Sequence, residues 1–256
     1  MDPHRPAIAP DPADDAPPEL PARLPACRSC GGAVEPDEPR CPACNTHRPA
    51  EGWPPDPRIG TTILDGLELR DRLGYGATGS VYLGVRPGDD DEVAVKLLRR
   101  DLTADPELVR RFRLEAVVTR SLAIPQVVAA RDFGVLDDGT HYLAMERVHG
   151  VGLDRVLQAR PRLRIDVALE IARQVLVALA VTHQRGVVHR DLKPGNLVVG
   201  RDDAGQPLVR ILDFGFAKVL ADPDLAPALR LTQGLTVMGT PQYMSPEQCR
   251  GSRAVD

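Results

Sequence analysis

The chain has 256 residues, room for one large domain or two small ones. A formal charge of −4 gives no general attraction to nucleic acid or anionic membrane, and with aromatics at 4% the core must rest on Leu, Val and Ile. No apolar stretch follows Met1, and apolar runs such as Val175–Val181 fall far short of the roughly 20 residues a membrane span needs; the expectation is a cytoplasmic protein without signal peptide, membrane segment or nucleic-acid partner.

Residues 1–26 are rich in Pro, Asp and Ala and nearly devoid of large apolar side chains. Such a segment cannot bury enough surface to offset its ordering entropy, so a disordered arm is expected. Residues 27–47 carry Cys27-Arg28-Ser29-Cys30, ten residues, then Cys41-Pro42-Ala43-Cys44. Two such pairs can close a tetrahedral thiolate shell around Zn²⁺, and Gly31-Gly32 lets the backbone turn toward the metal. In a reducing compartment this clustering favours a metal over disulfides. The segment resembles a zinc ribbon, which implies a structural Zn²⁺ and a module that serves interaction, with a possible protein partner. Residues 48–62 repeat the Pro-rich composition around Trp53-Pro54-Pro55 and are expected to form an extended linker.

From Ile63 the composition becomes globular. Leu67–Leu73 and Ser80–Val85 read as strands flanking Gly74-Tyr75-Gly76-Ala77-Thr78-Gly79, and Glu92–Leu98 as a third. A glycine-rich loop between two strands tells against a dinucleotide-binding βαβ unit. Alternation puts Ala94 and Lys96 on one face of the third strand, so the lysine can reach phosphates beneath the loop. Asp105-Pro106 opens a helix with a cap and an N1 proline. Leu108, Phe112, Glu115, Thr119 and Leu122 share one face of it. A carboxylate in an inward stripe is costly without a partner, and Lys96 is the natural one for Glu115. A strand at His141–Met145 precedes a long helix, Ile165–Gln184, with Val167, Ile171, Val175 and Leu179 on its apolar stripe. Strands first and helix second argue an α+β fold with a β-rich lobe and a helical lobe.

The most informative stretch is His189-Arg190-Asp191-Leu192-Lys193-Pro194-Gly195-Asn196, followed by Asp213-Phe214-Gly215. Between them, Leu197–Val199 and Val209–Leu212 flank the polar Gly200–Pro207 and read as a β-hairpin. The start of its first strand and the end of its second lie at one edge, so Asn196 and Asp213 meet, with Asp191 just upstream. Two carboxylates and a carboxamide at one rim suit Mg²⁺.

Taken together, Gly74–Val81, Val93–Lys96, Glu115, His189–Asn196, Asp213–Gly215 and Ser245-Pro246-Glu247 resemble the eukaryotic-like protein kinases, in order and spacing. Lys193 and the Gly239–Gln248 run look most like bacterial Ser/Thr kinases of this type. The resemblance implies a bilobal kinase-like domain over 63–256, with an N-lobe to about 147 and a C-lobe from 148. It implies transfer of the γ-phosphate of ATP, with Mg²⁺, to Ser or Thr hydroxyls of protein substrates. By matching position, Asp191 would accept the hydroxyl proton, Lys193 would contact the γ-phosphoryl group, and Lys96 with Glu115 would position the α- and β-phosphates. Asn196 and Asp213 would hold Mg²⁺; Gly74, Gly76 and Gly79 would cover the phosphates. Leu73, Val81, Ala94 and Met145 would wall the adenine, with backbone groups of Glu146 and Val148 bonding to it. Thr232 and Thr236 are candidate phosphorylation sites whose phosphate would dock on Arg190. Thr240 is expected to face Asp191 and Lys193 in a structural role, and His189 to pack beneath the loop rather than act as a base.

The chain stops nine residues after Glu247. Against the resemblance, this leads to the expectation of a C-lobe truncated after the Ser-Pro-Glu triplet, with the underside of Ile165–Gln184 short of its cover. An alternative function is therefore a catalytically impaired fragment acting as a regulator or adaptor through nucleotide or protein binding.

Overall fold

A computed structural model of the protein describes residues 24–42, 44–76, 78–89, 91–202, 204–215, 217–219 and 239–250. They form two compact units. One takes the residues up to Phe112 together with Ala130–Arg147; the other takes Arg113–Ala129 and the residues from Val148 onward. Among the described residues no helix is long and apolar enough to cross a membrane.

The first unit is built on an antiparallel sheet of β1 (Thr62–Ile63), β2 (Leu67–Tyr75), β3 (Gly79–Val85), β4 (Glu92–Leu98), β5 (Ala130–Val135) and β6 (His141–Glu146), in the order β1-β2-β3-β4-β6-β5. Alternation sorts β4 into two faces. Val93, Val95 and Leu97 enter a core with Leu67, Leu69, Tyr82, Tyr142 and Ala144. On the other face Lys96 stands opposite Val81 and Leu143, and Ala94 opposite Leu83 and Met145. Edge strand β5 has no apolar alternation in Ala130–Val135, which explains why the sequence pattern does not predict it.

The cysteine segment belongs to this unit and contains the same turn twice. Gly31 N donates to Cys27 O and Asn45 N to Cys41 O, both at 2.8 Å, with Gly31 at φ 70° and Asn45 at φ 61°. Two expectations are corrected here. Ala26, assigned to the disordered arm, is 1% exposed, bridges Ala33 and donates its N–H to Pro54 O at 2.8 Å. Residues 48–62 are not a free tether. Trp53 packs among Cys27, Cys30, Val34 and Cys41, and its Nε1 donates to Glu38 O at 2.8 Å. Asp56 is ion-paired with Arg72 of β2, both side chains almost fully buried. Arg58 reaches Asp138 and Thr140 at 2.7 Å each. The segment is instead tied down at both ends, Asp56 and Ile59 finding partners on the sheet and Trp53 in the cysteine segment. A cavity of about 850 Å³, rimmed by Arg28, Arg58, Leu64, Tyr82, Arg99 and Asp138, opens between the cysteine segment and the sheet.

Helix α1 (Pro106–Leu122) starts as its sequence requires: Asp105 Oδ1 accepts from Glu107 N at 2.9 Å and Leu108 N at 3.3 Å, with Pro106 first in the helix. In the second unit, α2 (Leu153–Ala159), α3 (Ile165–Gln184) and α4 (Pro246–Arg250) accompany β7 (Gly150–Gly152), β8 (Val187–Val188), β9 (Leu197–Arg201), β10 (Pro207–Ile211) and β11 (Lys218–Val219). The β9–β10 hairpin pairs Leu197 with Ile211 and Val199 with Val209. Gln174 of α3 fixes its edge, accepting from Val209 N at 2.9 Å and donating to Pro207 O at 3.1 Å. Leu114, Val118, Ile171, Val175, Val209, Ile211 and Phe214 form the core beneath the His189–Asn196 stretch, while Ile165, Leu169 and Leu176 face outward.

Candidate active site

In the first unit, β2, β3 and β4 bring the residues expected around a nucleotide to one sheet face. Val81, Ala94, Lys96 and Met145 share that face by register, and Glu146 ends β6. Leu73 lies in β2 at an irregular step of the β2–β3 pairing. The Lys96 ammonium stands 6.0 Å from the centroid of the Phe112 ring, within cation–π range. The loop between β2 and β3 is closed by Gly76 N donating to Gly79 O at 2.8 Å. Gly74 and Gly76 border open space, whereas a Cβ on Gly79 would fall 2.1 Å from Leu97 O. Gly79 is thus required by packing within the sheet, which the reading of all three glycines as phosphate-facing does not foresee.

In the second unit, the hairpin brings its two ends together: Leu212 N donates to Asn196 O at 2.8 Å, so Asp213 follows directly beside Asn196. Asp191 is 3% exposed and its carboxylate is gripped from four directions. Oδ1 accepts from Thr240 N at 2.7 Å and Thr240 Oγ1 at 2.8 Å. Oδ2 faces Lys193 Nζ at 2.9 Å and Asn196 Nδ2 at 3.2 Å. Asn196 Nδ2 also donates to Asp191 O at 2.8 Å, and Lys193 Nζ to Thr240 Oγ1 at 2.6 Å. Charge-assisted bonds in a dry setting fix the carboxylate's orientation. Thr240 faces Asp191 and Lys193, as anticipated.

His189 lies beneath this network, 2% exposed, its ring tilted against Phe214 at 4.6 Å between centroids. Nδ1 accepts from Asp191 N at 3.2 Å and Nε2 meets Leu212 O at 3.1 Å, an arrangement that suits the neutral Nε2–H tautomer. Burial holds its pKa below the usual histidine range, opposed by the Leu212 carbonyl and the charges of Asp213 and Asp191. Two residues of the stretch take left-handed backbone, Arg190 at φ 67° and Asp213 at φ 57°. Asp213 Oδ1 accepts from Gly215 N at 3.1 Å across its own turn. Oxygen donors from Asp213 and the Asn196 carboxamide are the chemistry Mg²⁺ prefers, so these residues fit that ion.

Lys96 and Glu115 belong to different units, as do Glu146 and Val148. Glu115 is 3% exposed on α1. Thr232 and Thr236 lie outside the described residues.

The four cysteine sulfurs lie within 4.8 Å of one another. Cys27–Cys44 and Cys30–Cys41 are each 3.6 Å apart. A tetrahedral zinc with Zn–S bonds of about 2.3 Å needs sulfurs about 3.8 Å apart. Burial raises the Cys44 thiol pKa, but hydrogen bonds from Thr46 and the neighbouring thiols outweigh this and bring it down to about 6; burial pushes Cys30 up. The donor set and its spacing fit a thiolate-bound dication.

Residues 67–255 match the protein kinase domain family. The serine/threonine-protein kinase pkn3 of Myxococcus xanthus is 39% identical over 198 residues, 77% of this chain and 36% of that protein. PknA of Mycobacterium tuberculosis is 39% identical over 202 residues, 77% of this chain and 44% of that one. The chain thus spans less than half the length of these relatives. The crystal structure of the Mycobacterium tuberculosis PknI kinase domain superimposes with a TM-score of 0.51 at 33% identity, covering 64% of each chain. A family match across 67–255, relatives named as Ser/Thr kinases and a structural neighbour above 30% identity agree: the chain belongs to the protein kinase family.

Proposed function

We propose that the chain is the phosphotransfer domain of a Ser/Thr protein kinase, working in the cytoplasm on protein substrates. Asp191 accepts the proton of the Ser or Thr hydroxyl as that oxygen bonds to the γ-phosphorus of ATP and the bond to the β–γ bridging oxygen breaks, releasing ADP. Lys193 offsets charge on the transferring group, and Lys96, held by Glu115, orients the α- and β-phosphates. Mg²⁺, when bound by Asn196 and Asp213, neutralises phosphate charge. Leu73, Val81, Ala94 and Met145 enclose adenine, with backbone groups of Glu146 and Val148 bonding to it. Thr232 and Thr236 are proposed phosphorylation sites. Cys27, Cys30, Cys41 and Cys44 hold a structural Zn²⁺, and the module they form is an interaction element.

The observation that carries the catalytic reading is the Asp191 carboxylate, buried and oriented by Lys193, Asn196 and Thr240. The experiment is radiolabelled Mg-ATP with a generic basic protein substrate. Transfer by the wild type and its loss in Asp191→Asn support the reading; no phosphorylation of itself or the substrate overturns it.

A further inference from the structure

Residues 239–250 meet the loop His189–Asn196 at two adjacent points. Thr240 holds the Asp191 carboxylate, as described. One residue earlier along the loop, Arg190 O accepts from Gln248 Nε2 at 2.7 Å. Arg190 is in the left-handed region at φ 67°, a conformation that a residue with a Cβ keeps only where its surroundings impose it. Its carbonyl also lies against Gly239, where a Cβ would come within 3.1 Å of it. The bend that presents Asp191 is therefore held at its carbonyl by Gln248 and leaves only a tight fit for a side chain at 239.

Gln248 is itself locked. It is 8% exposed and third in α4. Its Oε1 accepts from Ser245 N at 3.0 Å while Ser245 Oγ accepts from Gln248 N at 3.4 Å, a reciprocal capping box with Pro246 as first helical residue. One end of the amide caps the helix and the other grips the catalytic loop.

We propose that Gln248 is a positioning residue for phosphotransfer: its amide N–H holds the Arg190 carbonyl, and through that bend the Asp191 carboxylate. This rests on the catalytic reading above. Glutamate separates the two tasks. It caps a helix at this position as well as glutamine does, but when ionised it offers no donor to Arg190 O. Methionine, of similar length, does neither.

The test compares wild type, Gln248→Glu and Gln248→Met by steady-state kinetics and by hydrogen exchange over the peptide Val187–Asn196. Both variants are expected to lose about tenfold or more in kcat, with KM for ATP within about twofold, and to exchange faster across Arg190–Asp191. The Gln248→Glu to wild-type ratio of kcat rises as pH falls toward the carboxyl range, because the protonated acid donates again. If Gln248→Glu matches wild type in exchange and rate while Gln248→Met is impaired, Gln248 is a helix cap only and the proposal is overturned. A wild type without transfer counts against the catalytic reading instead, and exchange then decides: unchanged protection in Gln248→Glu overturns the positioning role.

Discussion

Arg72 carries an imbalance that makes the strap from the cysteine segment measurable. Its Nη2 donates to Asp56, but buried Nε and Nη1 have no hydrogen-bond partner among the described residues, and its guanidinium carbon lies 5.7 Å from the Tyr82 ring centroid. Asp56 is better served, since Oδ1 also accepts from Arg58 N at 3.0 Å. Asp56→Ala would strand a cation that is 95% buried, and breaking a buried pair this way costs about 3–5 kcal/mol. Arg72→Met should cost less, about 1–3 kcal/mol, because it removes two unsatisfied donors along with the charge and fills the space with an apolar chain. The double variant keeps no buried charge and should cost about as much as Arg72→Met alone, giving a coupling as large as the Asp56→Ala cost, about 3–5 kcal/mol. The protein's single tryptophan, Trp53, sits three residues before Asp56 among the cysteines, so urea unfolding followed by its fluorescence reads the strap directly. Costs that add within about 0.5 kcal/mol would refute the argument that this pair ties the cysteine segment to β2.

Four further outcomes are expected. Purified protein should hold about one zinc per chain by elemental analysis, and strong chelation should red-shift Trp53 emission; less than about half an equivalent sinks the metal assignment. Thr240→Val keeps the backbone donor to Asp191 but removes the hydroxyl bonds to Asp191 and Lys193, so kcat should fall about tenfold or more with KM for ATP little changed. Gly79→Ala should destabilise the first unit by about 2 kcal/mol or more, since its Cβ would overlap Leu97 O, while Gly76→Ala, facing open space, should leave the melting temperature almost unmoved. For His189 the folded pKa is depressed, so the unfolded chain takes up a proton that the folded one refuses. Stability is then full above about pH 6.5 and declines as pH falls through that value, by at most about 1.4 kcal/mol per unit; a His189→Leu variant with the same dependence would refute this.

Much of the fold was legible because its signals are local. The alternation in Glu92–Leu98, the Asp105-Pro106 cap and the apolar stripe of Ile165–Gln184 each depend on neighbours a few residues away, and each appears with the expected bounds or close to them. The hairpin argument also holds, since two apolar runs around a polar turn admit one antiparallel pairing, which brings Asn196 beside Leu212 and Asp213. Edge strand β5 escaped because half its residues face solvent without alternation.

What the sequence did not reveal are choices of distant partner. Proline and acid around Trp53 read as an extended linker, and the same letters serve a strap on a surface. The two differ only in whether Asp56 finds Arg72, sixteen residues on, and whether Trp53 finds the cysteines. Gln248 posed the same ambiguity. It caps its own helix with Ser245, three residues before it, but nothing local says that the other end of the amide faces a carbonyl fifty-eight residues upstream. The polar partners that tune the loop come from the far side of a segment whose own sequence, rich in Pro, Asp and Thr, says little about where it leads. A motif therefore names the reacting groups from adjacent letters, while the groups that hold them still are set by closure of the chain and must be read from geometry.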